Sequence, residues 1–415
     1  MNLLTPEELE AAFPLLTVFI FTLGACVGSF LNVVVWRLPH GKSLSSPPSH
    51  CPKCGHSIRA YDNIPMVSWL LLRGRCRDCQ APISMRYPIV ELSTALLFLA
   101  VWWRVNAIGL PYSVLPGWFF LSAALFAVAL TDIEFRVIPN KVTYTGMILA
   151  VMLAAILPRG RVLWVASEAN GAAPAISGAG IAGFLFPSIT ESPRLAAPVD
   201  ALCTLFLAWG LLMLVRALGR RFWGRESHEF APSARLFLDA RGLRIGDEPE
   251  TPVDDLLWRR GQQAVAFADR ATITAQDGHE TTFPPGAASE PQALLKIVLA
   301  KASLRIGGRE FKLKDIKAMD AKISRLQLPR EVLGGGDIKL LAMIGAFTGI
   351  TGVLFTLLLS SLTGLAAGLV VLFLSRGRHG NAVPYGPHLA LAGVLWMLFA
   401  AEIWAVSEKI LLKLV

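Results

Sequence analysis

Charge is scarce in this chain: Asp, Glu, Lys and Arg together make up 17% of 415 residues, against 54% hydrophobic ones. An ordinary soluble enzyme devotes about a quarter of its residues to charge, so that class is excluded. No regular internal repeat or long low-complexity segment is present, so no repeat array organises the chain. A basic region is missing before the first apolar run, where Glu7, Glu8 and Glu10 stand instead. That run is therefore expected to remain as an anchor and not to be removed as a signal peptide.

Long apolar runs take the place of charge. A bilayer core of about 30 Å needs roughly 20 apolar residues per helical crossing. Runs of the right kind are Ala12 to Trp36, Pro88 to Trp103 (interrupted by Glu91), Leu115 to Thr131, Val142 to Leu157, Ala197 to Val215, Leu340 to Leu374 and Gly386 to Ala400. Leu340 to Leu374 is long enough for a hairpin of two short spans, turning near Ser360 and Ser361. The expectation is an all-α polytopic membrane protein with about eight transmembrane helices.

Loop charges orient it. Residues 37–87 carry Arg37, Lys42, Lys53, Arg59, Arg73, Arg75, Arg77 and Arg86 against Asp62 and Asp78, which marks a cytoplasmic loop. Alternation then returns the turn with Arg136 and Lys141, the stretch after Val215 and the turn with Arg376 and Arg378 to the cytoplasm. The Gly/Ala/Ser-rich loop from Pro158 to Pro198 faces out, and within it Gly178 to Ile189 could dip into the bilayer. The same rule accounts for the net charge of +9, so membrane lipid is expected around the chain and no nucleic acid.

The expected organisation is a first span (1–36), a cytoplasmic metal loop (37–87), spans 88–217, an inserted soluble domain (218–333) and C-terminal spans (334–415). Alternating runs at Arg235 to Asp239 and Ala264 to Ala275, and a hairpin from Leu304 to Leu313 through Gly307-Gly308, make the insertion a small, mostly β domain. One helix is expected in it near Pro291 to Ala302.

Two carboxylates stand at the edges of apolar spans, where an acidic group is by default a functional hypothesis. Asp132 lies in Thr131-Asp132-Ile133-Glu134-Phe135-Arg136-Val137-Ile138-Pro139, and Asp337 in Gly334-Gly335-Gly336-Asp337-Ile338-Lys339. The topology puts both at one membrane face. Paired carboxylates can hydrolyse a peptide, one taking a proton from water while the other, protonated, polarises the scissile carbonyl. Gly334 and Gly336 would let a substrate strand approach. Structural alternatives stand beside this reading: an ion pair of Asp132 with Arg136 at i+4, and an N-cap role for Asp337.

Cysteine is used sparingly and in pattern. Cys51-Pro52-Lys53-Cys54 and Cys76-Arg77-Asp78-Cys79 are two C-x2-C knuckles, suited to a structural Zn²⁺ held by four thiolates in a reducing compartment. A redox dithiol pair is the rival. His50 and His56 flank the first knuckle and read as surface residues, while Cys26 and Cys203 read as small packing residues within spans.

These motifs resemble the prepilin peptidase family, also called type IV prepilin leader peptidase/N-methyltransferase, within the GxGD aspartyl proteases. Gly28-Ser29-Phe30-Leu31-Asn32 through Arg37-Leu38-Pro39 is similar to the end of the family's first span. Ile64-Pro65, Ser68-Trp69-Leu70, Arg73-Gly74-Arg75-Cys76 and Arg86-Tyr87-Pro88 with Glu91 resemble its cytoplasmic loop. Asp132 to Pro139 and Gly334 to Ala346 resemble the two catalytic motifs, and Pro384-Tyr385-Gly386-Pro387 the late motif. The resemblance implies a catalytic pair of Asp132 and Asp337 in the bacterial inner membrane, at the cytoplasmic face. Its substrates would be prepilins or pseudopilins of pilus and type II secretion systems. It also implies methylation of the new N-terminus with S-adenosylmethionine, although no Gly-rich nucleotide loop follows a strand here; Glu91 is one possible contributor. The residue 218–333 insertion departs from the family pattern and leaves the particular substrate open, including some other membrane protein. A catalytically silent scaffold is the reading from another class.

Overall fold

A computed structural model of the chain describes residues 6–160, 162–167, 171–176, 180–186, 188, 192–223, 225–230, 234–239, 242–246, 253, 263–283, 294–300, 303–329, 333–374 and 383–414. The chain divides into two compact units, Met1–Met213 with Gly334–Val415, and Leu214–Leu333.

The first unit is helical. Its elements are α1 (Pro6–Arg37), α2 (Val67–Leu71), α3 (Arg86–Ala107), α4 (Leu115–Phe135), α5 (Asn140–Ile156), a hairpin of β1 (Val162–Ser167) and β2 (Gly171–Ile176), α6 (Ile181–Leu185), and α7 (Pro193–Trp223), which runs on into the second unit. After the second unit come α8 (Gly335–Leu374) and α9 (Gly386–Leu414). Among the described residues six helices are long and apolar enough to cross a membrane: Ala11–Arg37, Arg86–Ala107, Tyr112–Phe135, Pro193–Phe222, Gly335–Leu374 and Gly386–Ile403. Asn140–Ile156 is a shorter apolar helix. This is a multi-pass membrane architecture.

Exposure bears that out. Phe19, Phe206, Leu358 and Phe373 all face outward, and only 6% of the most apolar window of α8 is buried. Inside the bilayer no water satisfies polar groups, so they must pair within the protein. Thr94, Thr131 and Thr348 donate back to the carbonyls of Val90, Ala127 and Ile344, one turn earlier. Thr204 also reaches across from α7 to the Gly345 carbonyl on α8 at 3.0 Å.

The long segment 335–374 breaks at Gly349 (φ 76°, ψ −176°), not near Ser360 and Ser361. Both serines lie within the helix, where their hydroxyls donate to Leu357 O. Serine satisfied inside its own helix is no turn signal, which is why that sequence expectation failed. The outward stretch contains the five-residue α6, and positions 178, 179, 187 and 189 lie outside the described residues, as does the turn with Arg376 and Arg378.

The second unit carries a nine-stranded sheet, ordered β10-β9-β8-β6-β11-β4-β5, with β3 on β11 and β7 on β6, all antiparallel. Its strands are β3 (Arg225–Glu229), β4 (Arg235–Asp239), β5 (Leu243–Ile245), β6 (Gln263–Ala275), β7 (Glu280–Phe283), β8 (Leu295–Ala300), β9 (Ser303–Ile306), β10 (Arg309–Lys312) and β11 (Ile316–Pro329). Leu236, Leu238, Ile273, Ile297, Leu304, Ile306, Met319 and Ile323 are core residues. The hairpin through Gly307-Gly308 forms as expected, with φ of 54° and 86° at the two glycines.

The expected helix near Pro291 to Ala302 is instead strand β8 over its central residues; 291–293 and 301–302 lie outside the described residues. Leu295, Ile297 and Leu299 alternate inward, and β8 has ladder partners on both sides, in β6 and β9. Tertiary pairing and the stiff side chains of Ile297 and Val298 favour a period of two over the helical one.

In the helical unit α1 and α3 pack closely, around Val35, Phe98 and Trp102. A Cβ added at Gly28 would stand 2.7 Å from the Glu91 Cα. Gly28→Val is expected to destabilise the protein by about 1–3 kcal/mol through overpacking. Thermal unfolding in detergent measures this, with Gly210→Ala, which meets nothing within 4 Å, as the tolerated comparison.

Candidate active site

Asp132 occupies the last turn of α4 and is buried. The helix stops at Arg136, whose left-handed backbone (φ 53°) turns its N–H onto the Asp132 carbonyl at 3.0 Å. No ion pair joins Asp132 to Arg136 among the described residues. Its Oδ2 accepts instead from the Gly386 backbone N–H at 2.9 Å. Gly386 opens α9, so the carboxylate meets the positive end of a helix dipole. A Cβ at Gly386 would come within 2.6 Å of that oxygen, which is why glycine stands there.

Asp337 is also buried, in the first turn of α8. It lies beyond the cap position, so the N-cap alternative does not describe it. A Cβ at Gly334 would stand 2.5 Å from Asp337 Oδ2, and one at Gly336 2.8 Å from Ile138 Cβ. Ile138 belongs to the connection that follows Asp132. From the same connection Asn140 Oδ1 accepts from Lys339 Nζ at 2.7 Å, and that ammonium lies 5.0 Å over the Tyr144 ring. The C-terminus of α4 and the N-termini of α8 and α9 thus meet at one end of the unit, with Asp132 on the first and Asp337 on the second.

Sequence reasoning marked Pro384-Tyr385-Gly386-Pro387 as a motif but gave it no role. The structure gives two: the Gly386 amide on Asp132, and a hydrogen bond of 2.7 Å between the Tyr385 hydroxyl and Ser360 Oγ. The Gly-Pro pair at a helix start was the available signal. Arg86 pairs with Glu134 at 2.7 Å and ties the start of α3 to the end of α4. Glu91, one of several candidates for methyl transfer, accepts from the Met66 N–H at 2.7 Å and so holds the cysteine loop to α3.

The four knuckle cysteines come together, with all Sγ atoms within 4.8 Å of one another and Cys51 Sγ 3.8 Å from Cys79 Sγ. Tetrahedral Zn–S bonds of about 2.3 Å place sulfurs roughly 3.8 Å apart, so the set fits such a metal. The two knuckles share one backbone pattern. Gly55 N–H bonds Cys51 O at 2.8 Å and Gln80 N–H bonds Cys76 O at 3.0 Å, with Gly55 and Gln80 both at positive φ. Backbone N–H groups from Cys54 and Lys53 draw the Cys51 thiol down to about 6. Cys79 is pushed up to about 12, because burial and its thiol neighbours outweigh the Ala81 amide that pulls it down. Four thiols this close resist joint ionisation until a cation neutralises them. His50 and His56 are exposed, as expected, whereas Cys26 faces outward rather than packing inside.

Residues 22–105 match the Bacterial Peptidase A24 N-terminal domain, and residues 291–369 match the Type IV leader peptidase family. Two separate segments of the chain are thus similar to peptidase A24 proteins. Relatives agree. A prepilin leader peptidase/N-methyltransferase of Myxococcus xanthus is 48% identical over 152 residues, 36% of this chain and 44% of that protein. A type 4 prepilin-like proteins leader peptide-processing enzyme of Escherichia coli is 41% identical over 168 residues, 35% of this chain and 59% of that protein. The chain thus spans about half the length of these relatives. A prepilin leader peptidase/N-methyltransferase of Stutzerimonas stutzeri is 26% identical over 427 residues, 97% of each chain. No solved structure matches the chain.

The purified protein is expected to carry one tetrahedrally bound metal per chain, read by elemental analysis and by the thiolate-to-metal absorption of its cobalt form. Cys76→Ser should lose both signals; full metal content in that variant would exclude the cluster as the site.

Proposed function

We propose that the chain is a membrane-embedded aspartic endopeptidase that removes the leader peptides of type IV prepilins or pseudopilins, and that it also N-methylates the new N-terminus. What supports the reading is that two buried carboxylates, Asp132 and Asp337, stand on helix ends that meet, one of them held by a helix-terminal amide. One carboxylate takes a proton from water, and the other, protonated, polarises the scissile carbonyl. Gly334 and Gly336 keep the backbone beside Asp337 free of side chains, Gly336 giving its space to Ile138, and the extended cleavage segment approaches along that backbone.

The loop charges support an active site at the cytoplasmic face of the bacterial inner membrane, and the break at Gly349 supports eight crossings, two of them within 335–374. Residues 37–87 form the metal loop and 218–333 an accessory unit outside the chemistry. Zn²⁺ suits the four thiolates, and four protein ligands leave no open position for water, so its contribution is to fold the loop. S-adenosylmethionine is the methyl donor implied by the relatives' names.

On a prepilin-like substrate in detergent, Asp132→Asn and Asp337→Asn are each expected to lower cleavage at least about a hundredfold while the protein stays folded and inserted. Retained cleavage in either variant would sink the dyad. Mass analysis of the product with S-adenosylmethionine present should show one added methyl group, and an unmodified N-terminus would remove the methyltransferase half of the reading.

A further inference from the structure

The short helix α2 is amphipathic the wrong way round for a loop in water. Its buried side carries Ser68, which donates to Tyr61 O at 2.9 Å and accepts from the Ile64 N–H at 3.1 Å. Trp69, beside it, donates its indole N–H to Ile83 O at 3.1 Å. The outer side carries Val67, Leu70 and Leu71, at i, i+3 and i+4, with Ile64 one turn before. These are 46%, 67%, 77% and 48% exposed. A folded loop surrounded by water would turn such a stripe inward.

Depth supplies the second observation. The Met66 N–H that precedes α2 is bonded to Glu91, five residues into α3 and so roughly 7.5 Å along that helix. Around that level α3 itself presents Ile89 and Leu92 outward. The entry of α2 is thereby pinned inside the span of a membrane helix and not above it. Charge supplies the third. The loop's acidic residues are taken up by arginines, Asp62 by Arg77 and Asp78 by Arg59. Arg73 and Arg75, which follow α2, are exposed and make no ion pair among the described residues.

We propose that α2 is an interfacial helix docked in anionic phospholipid. Ile64, Val67, Leu70 and Leu71 lie among the acyl chains just beneath the headgroups, and Arg73 and Arg75 lie on the phosphates. Lipid is the occupant because the stripe is pinned at the depth where lipid already surrounds the exposed face of α3, and because the charges beside it are cationic. The metal loop is then restrained to the membrane surface at two points, the Glu91 bond and this face.

The test uses the full chain in phosphatidylglycerol nanodiscs, with a spin label carried at Leu71 through a genetically encoded ketone residue, and Lys53 labelled for comparison. Collisions with a water-soluble nickel chelate should be several-fold rarer at 71 than at 53, with oxygen collisions frequent at 71. Equal nickel collisions at the two positions would mean that α2 faces water, and rarity of both kinds at 71 would mean that protein covers it. Either result overturns the proposal. With Arg73→Gln and Arg75→Gln together, or in phosphatidylcholine, nickel collisions at 71 should rise; no change in either would remove the anionic headgroup from it. None of these readouts needs peptidase activity, so the outcome is independent of the proposed function.

Discussion

Water is absent from the hydrocarbon core, and that single constraint accounts for most of what this molecule does with its polar groups. The hydroxyls of Thr94, Thr131, Thr348 and Ser361 in the spans fold back onto carbonyls of their own helices. Where one reaches further, as Thr204 does to Gly345, it joins two helices. Carboxylates are tolerated at helix ends, where backbone N–H groups are free to meet them. Asp132 takes the Gly386 amide, and that bond brings the C-terminal helix to the end of α4.

The same constraint shapes the approach of α8. Its first turn holds Asp337 behind glycines that leave room for Ile138, while Lys339 reaches Asn140 across the α4–α5 connection. Three helix ends from distant parts of the sequence are thus locked together by short contacts, and a reactive pair of carboxylates needs that kind of fixed geometry. Tyr385, anchored on Ser360, extends the lock to the later part of α8.

The parts of the chain between the long apolar helices solve a different problem. Residues 37–87 are too few and too polar to bury a core, and the cysteine knuckles substitute for one by folding around a shared centre. Arg37 adds three hydrogen bonds, to the carbonyls of Ser43, Leu44 and Pro47, so the exit from α1 is held before the first knuckle begins. The second unit is a sheet built on two long strands, β6 and β11, and buries an apolar core of its own.

Much was legible in the residues. Apolar runs longer than the bilayer is thick announce helices whatever they pack against, because a lipid-buried backbone has few other ways to satisfy itself. Two C-x2-C knuckles announce a four-cysteine cluster, since spacing within each knuckle is local. Alternation marked β4, β6 and the β9–β10 hairpin. Where the sequence misled, long-range partners decided: Leu295–Ala300 became a strand because ladders flank it on both sides, and the helix break moved to Gly349 because Ser360 and Ser361 were satisfied where they stood. By itself the sequence determined the membrane class and the cysteine cluster, both of which rest on local composition and spacing. Only the tertiary structure decided that the amide of Gly386 meets Asp132, that Glu91 holds the metal loop, and that Ile138 lies beside the glycines of Asp337, because contacts between residues far apart in the chain leave no local pattern.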